Sequence, residues 1–402
     1  MGRSGSIWRN RNFILVWGGQ SVSLFGSQLT YIALLWWVLE KTGSAAVLAN
    51  VAIATALPSV FIGPIAGAVI DRIDRRRVMI GMNLANGLII GTAATLLVLG
   101  RLELWEVYLF SLLRATATLF HQPALQASIP NLVPADQLTR ANSLYQIAAS
   151  SAGIAGPAIG GVLVGFCGSG ATMWIDAATF LLAGVSLLFA SFPSPHSALP
   201  AGIRPMIADI GEGIRFIFRR HTLLYIIFLF GVVNFFLAPM NVLLPVMAKD
   251  VLHAGAKGFG LLATAISVGM LVGGLLTASV KRVSRPGLGI IWGVVTIGGA
   301  LLLFSLSRHM ILSMGTLVIV GAAAALTNVL SVVIFQTHAP NEMQGRVFAA
   351  DQAVSSSLEP IALATIGGLL TLFTAPLLIL AGGVAVGIAG LSGYFIPGMR
   401  KL

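Results

Sequence analysis

Charge is what this sequence has least of. Only 9% of its 402 residues are charged, while 57% are hydrophobic. A soluble domain carries about a quarter charged residues, so a water-facing surface cannot be assembled from this composition. Mean hydropathy is +0.93. The chain is read as an all-α integral membrane protein. Cysteine is almost missing too. Cys167 stands alone, which excludes an internal disulfide and a Cys-based metal cluster. The six histidines (His121, His196, His221, His253, His309, His338) are scattered without HExxH spacing. Neither a GxxxxGK[ST] phosphate loop nor a GxSxG elbow occurs. No nucleotide-burning or hydrolytic domain is therefore expected, no enzyme activity, no metal and no cofactor.

What is present is apolar sequence in long runs. The first follows Arg3, Arg9 and Arg11 as a signal peptide would, yet it is too long for an h-region and lacks a small-residue cleavage site. It is read as a retained span. The opening MGRSGS fits a loose myristoylation pattern, which a multi-span chain would not need. A spanning helix takes roughly 20 apolar residues. Breaks at charges and Gly/Pro clusters predict twelve spans, at 13–39, 46–70, 77–99, 104–128, 139–166, 171–192, 222–247, 257–280, 287–306, 310–336, 346–372 and 375–396.

Lys and Arg distribute unevenly between the two sets of connecting loops. One set holds eighteen, including Arg72, Arg75, Arg76, Arg77, Arg140, Arg204, Lys281 and Arg346, and the other holds Lys41, Arg101, Lys249, Lys257 and Arg308. The positive-inside rule then puts both termini in the cytoplasm of a bacterial-type inner membrane. The net charge of +11 calls for no nucleic acid, because the excess meets anionic lipid at the cytoplasmic leaflet.

The chain also divides. Residues 193–221 form the longest polar stretch, in which Ile207, Ile210, Ile214 and Ile217 recur at helical spacing. This predicts an amphipathic helix on the membrane surface. Residues 1–192 and 222–402 are the two halves, and they echo each other. Gly63 and Asp71 find Gly273 and Lys281 at a shift of 210, while Pro134, Arg140 and Gln146 find Pro340, Arg346 and Gln352 at 206. Two pseudo-symmetric six-helix bundles with a substrate path between them are the architecture of a secondary transporter.

Two motifs carry mechanism. In GPIAGAVIDRIDRRR, Gly63 and Gly67 lie four apart, suited to close approach of another helix. Asp71 then stands among Arg72, Arg75 and Arg76 at the membrane edge. The arginines alone would satisfy the positive-inside rule, but the acid suggests a cytoplasmic latch. This stretch resembles the loop 2–3 signature of the major facilitator superfamily, with Asp74 where many members have glycine. The resemblance implies that Asp71 stabilises an outward-open state by contacting the C-terminal half near span eleven. In GIAGPAIGG, Gly153, Gly156 and Gly160 form a small-residue face, expected to pack against the other half, and Pro157 bends the helix. With Gly161 these residues resemble the span-five signature of drug/proton antiporters, which implies export; ordinary glycine-rich packing fits them too. WGGQSVSLFGSQLTYIALLWWVLEKTGSA, ASIPNLVP, LTRANSL and IDAATFLL are similar to the macrolide-efflux and enterobactin-exporter branch.

With no ATP motif, uphill export needs an ion gradient, most simply of protons, with sodium open. Ionisable groups within spans are functional candidates. Glu359, beside Pro360 in span eleven, is the first choice for proton binding. Asp176 is second, with a helix N-cap or packing role as the alternative. Asp351 fits the cytoplasmic latch. Arg114 resembles the superfamily's span-four arginine, although Ala117 and Thr118 replace the residues usual after it; a structural ion pair is its other role. Spans one, four, seven and ten offer Gln20, Trp36, Asn234, Phe235, Phe236, Asn241, Asn328 and Gln336 to a large amphipathic substrate. The expectation is a monomeric proton-coupled exporter. An ion-coupled importer of a small metabolite and a non-transporting receptor or scaffold on the same fold are the alternatives.

Overall fold

The structure is a computed structural model that describes residues 7–63, 66, 70, 73–191, 215, 217, 220–279, 285–338 and 357–401. Those residues are helical, without a strand. Twelve helices follow the twelve apolar runs: α1 Arg11–Thr42, α2 Ala45–Phe61, α3 Arg75–Val98, α4 Leu104–Leu132, α5 and α6 within Leu138–Leu188, α7 His221–Leu237, α8 Gly255–Ser279, α9 Pro286–Leu306, α10 Met310–His338, α11 Ser357–Leu369 and α12 Ala375–Ser392. Eight of the described segments are long and apolar enough to cross a membrane unaided. Most of the predicted linker, with Ile207, Ile210 and Ile214, lies outside the described residues.

Local chemistry sets the breaks. Asp74 caps α3 by accepting from the Arg76 and Arg77 backbone N–H groups, so the residue that departs from the loop signature starts a helix. α5 and α6 meet at Gly168, with φ 79° and ψ 167°, a region essentially confined to glycine. One residue thus replaces the expected loop. Span seven is not one helix either. After α7 the chain turns at Ala238–Pro239, resumes as Met240–Val246 and ends in a π-helical turn, Met247–Val251. Pro239 and Pro245 each lack the N–H that a regular helix would need there.

The chain folds as two compact units, Met1–Lys41 with Ala54–Ile203, and Thr42–Ile53 with Arg204–Leu402. In the N-terminal unit α1 lies against both α5 and α6. Gly19 faces Ser186 and Gly26 faces Thr179, so α1 and α6 run antiparallel, while Gly156 and Gly160 meet Gln28 and Ile32 along parallel α5. α3 packs antiparallel on α6, with Gly87 at Leu181 and Gly170 at Val98. One end of this unit closes over an apolar cluster of Phe13, Val16, Met79, Leu125, Ile129 and Leu187. The arginines after α2 secure the same end. Arg75 Nη1 donates to the Ala127 carbonyl at 2.7 Å, and Arg76 reaches the Leu187 and Leu188 carbonyls at 3.0 and 2.7 Å. The last α6 carbonyls have no helical donor, and a cation is favourable there.

The C-terminal unit repeats the pattern six helices on. α9 and α12 are antiparallel, with Gly298 at the Gly387 backbone and Gly390 at Val295, as α3 and α6 are. Parallel α8 and α10 touch backbone to backbone, Gly273 lying on Ala322 and Gly269 on Val318. Tyr225 of α7 donates to the Ala389 carbonyl of α12 at 2.7 Å.

These contacts predict an asymmetric response to a small change. Gly273→Val would drive a side chain into the Ala322 backbone, whereas the neighbouring Gly274 faces open space. Gly273→Val is expected to destabilise by about 1–3 kcal/mol and Gly274→Val to leave the thermal midpoint unchanged, read by size exclusion after heating. Gly168→Ala, forced into the same backbone conformation, should lose roughly 1–3 kcal/mol in that assay.

Candidate functional site

Two of the sequence candidates meet inside the N-terminal unit. Arg114 lies in the middle of α4 and Asp176 in α6; Nη2 of the first is 3.7 Å from Oδ2 of the second. The Asp176 side chain is 0% exposed and that of Arg114 24%. Thr179 donates to Asp176 Oδ1 at 3.2 Å, and the Thr30 hydroxyl of α1 faces the same carboxylate. Gly26 covers it: a Cβ at that position would collide with Asp176 Oδ1 and Thr179 Oγ1. Asp176 is therefore no N-cap. It lies two turns beyond Gly168, inside a helix that starts earlier than span six was expected to.

A single pair at this distance is electrostatically strong in lipid but not bidentate. Arginine keeps its charge under all ordinary conditions. The variable element is the carboxylate, which can hold a proton or the guanidinium but satisfies Arg114 only when ionised. Glu359, by contrast, is an exposed side chain of α11. Asp351, Asp71, Arg72 and Gly67 lie outside the described residues.

The span-five motif acts differently from the expectation. Gly156 and Pro157, Gly160 and Gly161 are buried, Gly153 half-buried. Gly156 and Gly160 face Gln28, Leu29 and Ile32 of α1, within their own unit rather than toward the other half. The reason lies in α1, whose backbone approaches so closely that no side chain fits between. Gly63 also departs from its reading. Nothing lies within 4 Å of where its Cβ would be, although the chain is still helical there; the close packing is found at its repeat counterpart Gly273. Arg75 and Arg76 bind carbonyls of their own unit, as described above.

The substrate candidates separate into groups. Asn234, Asn241 and Asn328 line one cavity of about 520 Å³ in the C-terminal unit, with Thr327, Phe230 and Met270. Phe235 and Phe236 form an edge-to-face pair, centroids 5.3 Å apart, and Phe236 packs over Gly382 of α12, so it holds helices together. Gln20 is buried and Trp36 half-buried on α1. Gln336 belongs to α10, but its side chain is outside the described set. No group of His, Cys, Asp and Glu suited to a metal occurs among the described residues.

Some of what surrounds the pair was overlooked in the sequence. Thr30, Thr179 and Gly26 look unremarkable in apolar runs, and only helix packing brings them to Asp176. His121 carried a signal, since it follows Arg114 by seven residues and so shares its face of α4. Asn83 and Asn86, three apart in α3, carried another.

Comparison with known proteins agrees with this architecture. The chain is 28% identical to macrolide efflux protein A of Streptococcus pyogenes over 358 residues, 87% of each chain. It is 27% identical to the multidrug efflux pump Tap of Mycolicibacterium fortuitum over 388 residues, 94% of this chain and 93% of that one. Among solved structures, the nucleoside transporter NupG superposes with a TM-score of 0.77 at 14% identity, covering 97% of this chain and 100% of its own. A bacterial homologue of the human lysosomal transporter Spinster gives 0.73 at 14% identity, with 98% of both chains covered. The pattern of the transmembrane secretion effector family matches residues 5–395. This chain therefore belongs to that family, within the major facilitator superfamily.

Proposed function

We propose that this protein is a secondary exporter of amphipathic drug-like compounds, driven by proton antiport through alternating access. The observation that carries the reading is the buried Arg114–Asp176 pair. An ion pair removed from water stabilises little by itself, so a pair kept inside a spanning helix bundle points to use in transport. Proton binding by Asp176 releases Arg114, and a released arginine favours a different arrangement of α1, α4 and α6. That difference in affinity between arrangements is what couples a proton to a conformational equilibrium. Glu359 is the second carrier candidate, and sodium a second ion. The similarity to macrolide and multidrug efflux proteins supports the outward direction and the substrate class. The cavity with three asparagines suits a molecule held mostly by apolar contact and a few neutral hydrogen bonds. The arginine-rich loops favour a bacterial inner membrane, both termini cytoplasmic against an anionic leaflet. The remaining proposals are a role for Asp71, Arg72 and Asp351 as a latch, and function as a monomer.

Efflux of a macrolide and of a lipophilic cation from cells, with and without a protonophore, tests the reading. Arg114→Ala should abolish protonophore-sensitive efflux and, by stranding a buried carboxylate, destabilise the protein by about 3–5 kcal/mol. Adding Asp176→Asn should restore the thermal midpoint but not the efflux. Full recovery of both would reduce the pair to a structural ion pair. Asn328→Leu should raise the half-saturating macrolide concentration roughly tenfold, the value of one hydrogen bond, and leave proton coupling intact.

A further inference from the structure

Asp176 is sealed from water in the described structure, yet a proton carrier must exchange with solvent. The surrounding helices offer a direction. The buried side-chain atoms without a protein hydrogen-bond partner, among the described residues, all belong to the N-terminal unit; Gln20 Nε2, Asn83 Oδ1 and Asn86 Oδ1 are three of them. Such atoms inside a packed bundle mark sites where water bridges polar groups.

Helix packing places these groups in sequence along the membrane normal. Asn83 of α3 lies against Gly184, and Gly19, beside Gln20, lies against Ser186 and Ala183. Gln20 and Asn83 therefore share one depth on α6. His121 is there too, its Nε2 3.3 Å from Asn83 Nδ2. Moving along α6 toward Asp176, α3 presents Asn86 and α1 presents Ser23, both buried. Asp176 follows at the depth of Gly26, with Arg114 seven residues before His121 and so about 10 Å from it along α4. Beyond Asp176, toward Gly168, α3 and α6 present mainly apolar buried residues, Ile90, Ala93, Ala94 and Met173, and the polar groups left are single hydroxyls, Thr30, Ser111 and Ser169, with no amide or imidazole among them. The Thr172 hydroxyl there is taken by its own helix, donating to the Gly168 carbonyl.

We propose that Gln20, Asn83, Asn86 and His121 form a hydrated proton path inside the N-terminal unit, which connects Asp176 to the end of the unit carrying the arginine-rich turn, with the His121 imidazole as its relay. The inference rests on the assignment of Asp176 as proton carrier. In the relay, one imidazole nitrogen accepts a proton while the other gives one up, so the ring returns to neutral in its other tautomer. The proton passes by water along the Asn86 and Gln20 side chains to Asp176, forming the carboxylic acid and freeing Arg114. The charged and titratable groups around the path are few. Between their ends α1, α3 and α6 contribute Tyr31 and Asp176, α4 contributes Tyr108, Arg114 and His121, and α5 contributes Tyr145, whose hydroxyl donates to Gln122 beside His121.

The test is infrared spectroscopy of the purified full chain in lipid films exposed to D₂O over a pH series that extends into the acid range, where Asp176 takes up its proton, following the carboxylic-acid band that disappears in Asp176→Asn. His121→Gln and Asn86→Leu should each slow deuterium exchange of that band by at least about a hundredfold, the low end of the roughly 10²–10⁴-fold that a positioned proton-transfer group supplies, without moving the band. Exchange at the unsubstituted rate in either variant overturns the path while leaving Asp176 as a carrier. A spectrum without any Asp176-dependent band removes both the path and the coupling assignment. His121→Gln keeps volume and hydrogen-bonding capacity toward Asn83, so it decides alone should Asn86→Leu not fold.

Discussion

Helices in a bilayer gain nothing from hiding apolar surface from one another, because lipid tails are as apolar as leucine. What remains is contact between backbones, and it is available only where side chains are missing. Each unit of this protein is held in that way. The pairs α3–α6, α9–α12 and α8–α10 all meet at glycines, and in the last the Gly273 and Gly269 positions rest on carbonyl backbone. With 46 glycines in the chain, this is the general rule of construction rather than a local device. Even the covering of Asp176 depends on it, since Gly26 is the only kind of residue that fits above that carboxylate.

Much of this was readable in the sequence, since lipid imposes a simple code. Apolar length sets the spans, and arginine bias sets the sidedness to be expected. The repeat of Gly63 and Gly273, with the later Pro and Arg echoes, announced the two bundles. The break of span seven at Pro239 was missed because Ala238–Pro239 sits in a run apolar enough to hide it. The one-residue joint at Gly168 was missed for another reason: glycine is so frequent that a positive φ leaves no distinct mark.

The site was less legible. Arg114 and Asp176 were both singled out as charges in lipid, but nothing in one sequence pairs residues on different helices. That pairing depends on rotation about each helix axis. For the same reason Glu359 ranked first although its side chain is exposed, and the sequence did not name α1 as the neighbour that Gly156 and Gly160 meet. A small-residue face announces a close partner without saying which. Asp74 taught the opposite lesson: the departure from a signature was an N-cap, a local rule legible without any tertiary knowledge.

The joint at Gly168 has a mechanical meaning. α5 and α6 leave it with no slack, and α1 lies against both, at Gly156 and Gly160 on one and at Gly26 on the other. The three helices form tongs around a rod. Displacement of the rod from one arm must be matched at the other, because the pivot is a single residue whose backbone has little freedom to stretch. Whatever shifts α1 against α5 is therefore felt, across the width of one helix, at the carboxylate of Asp176.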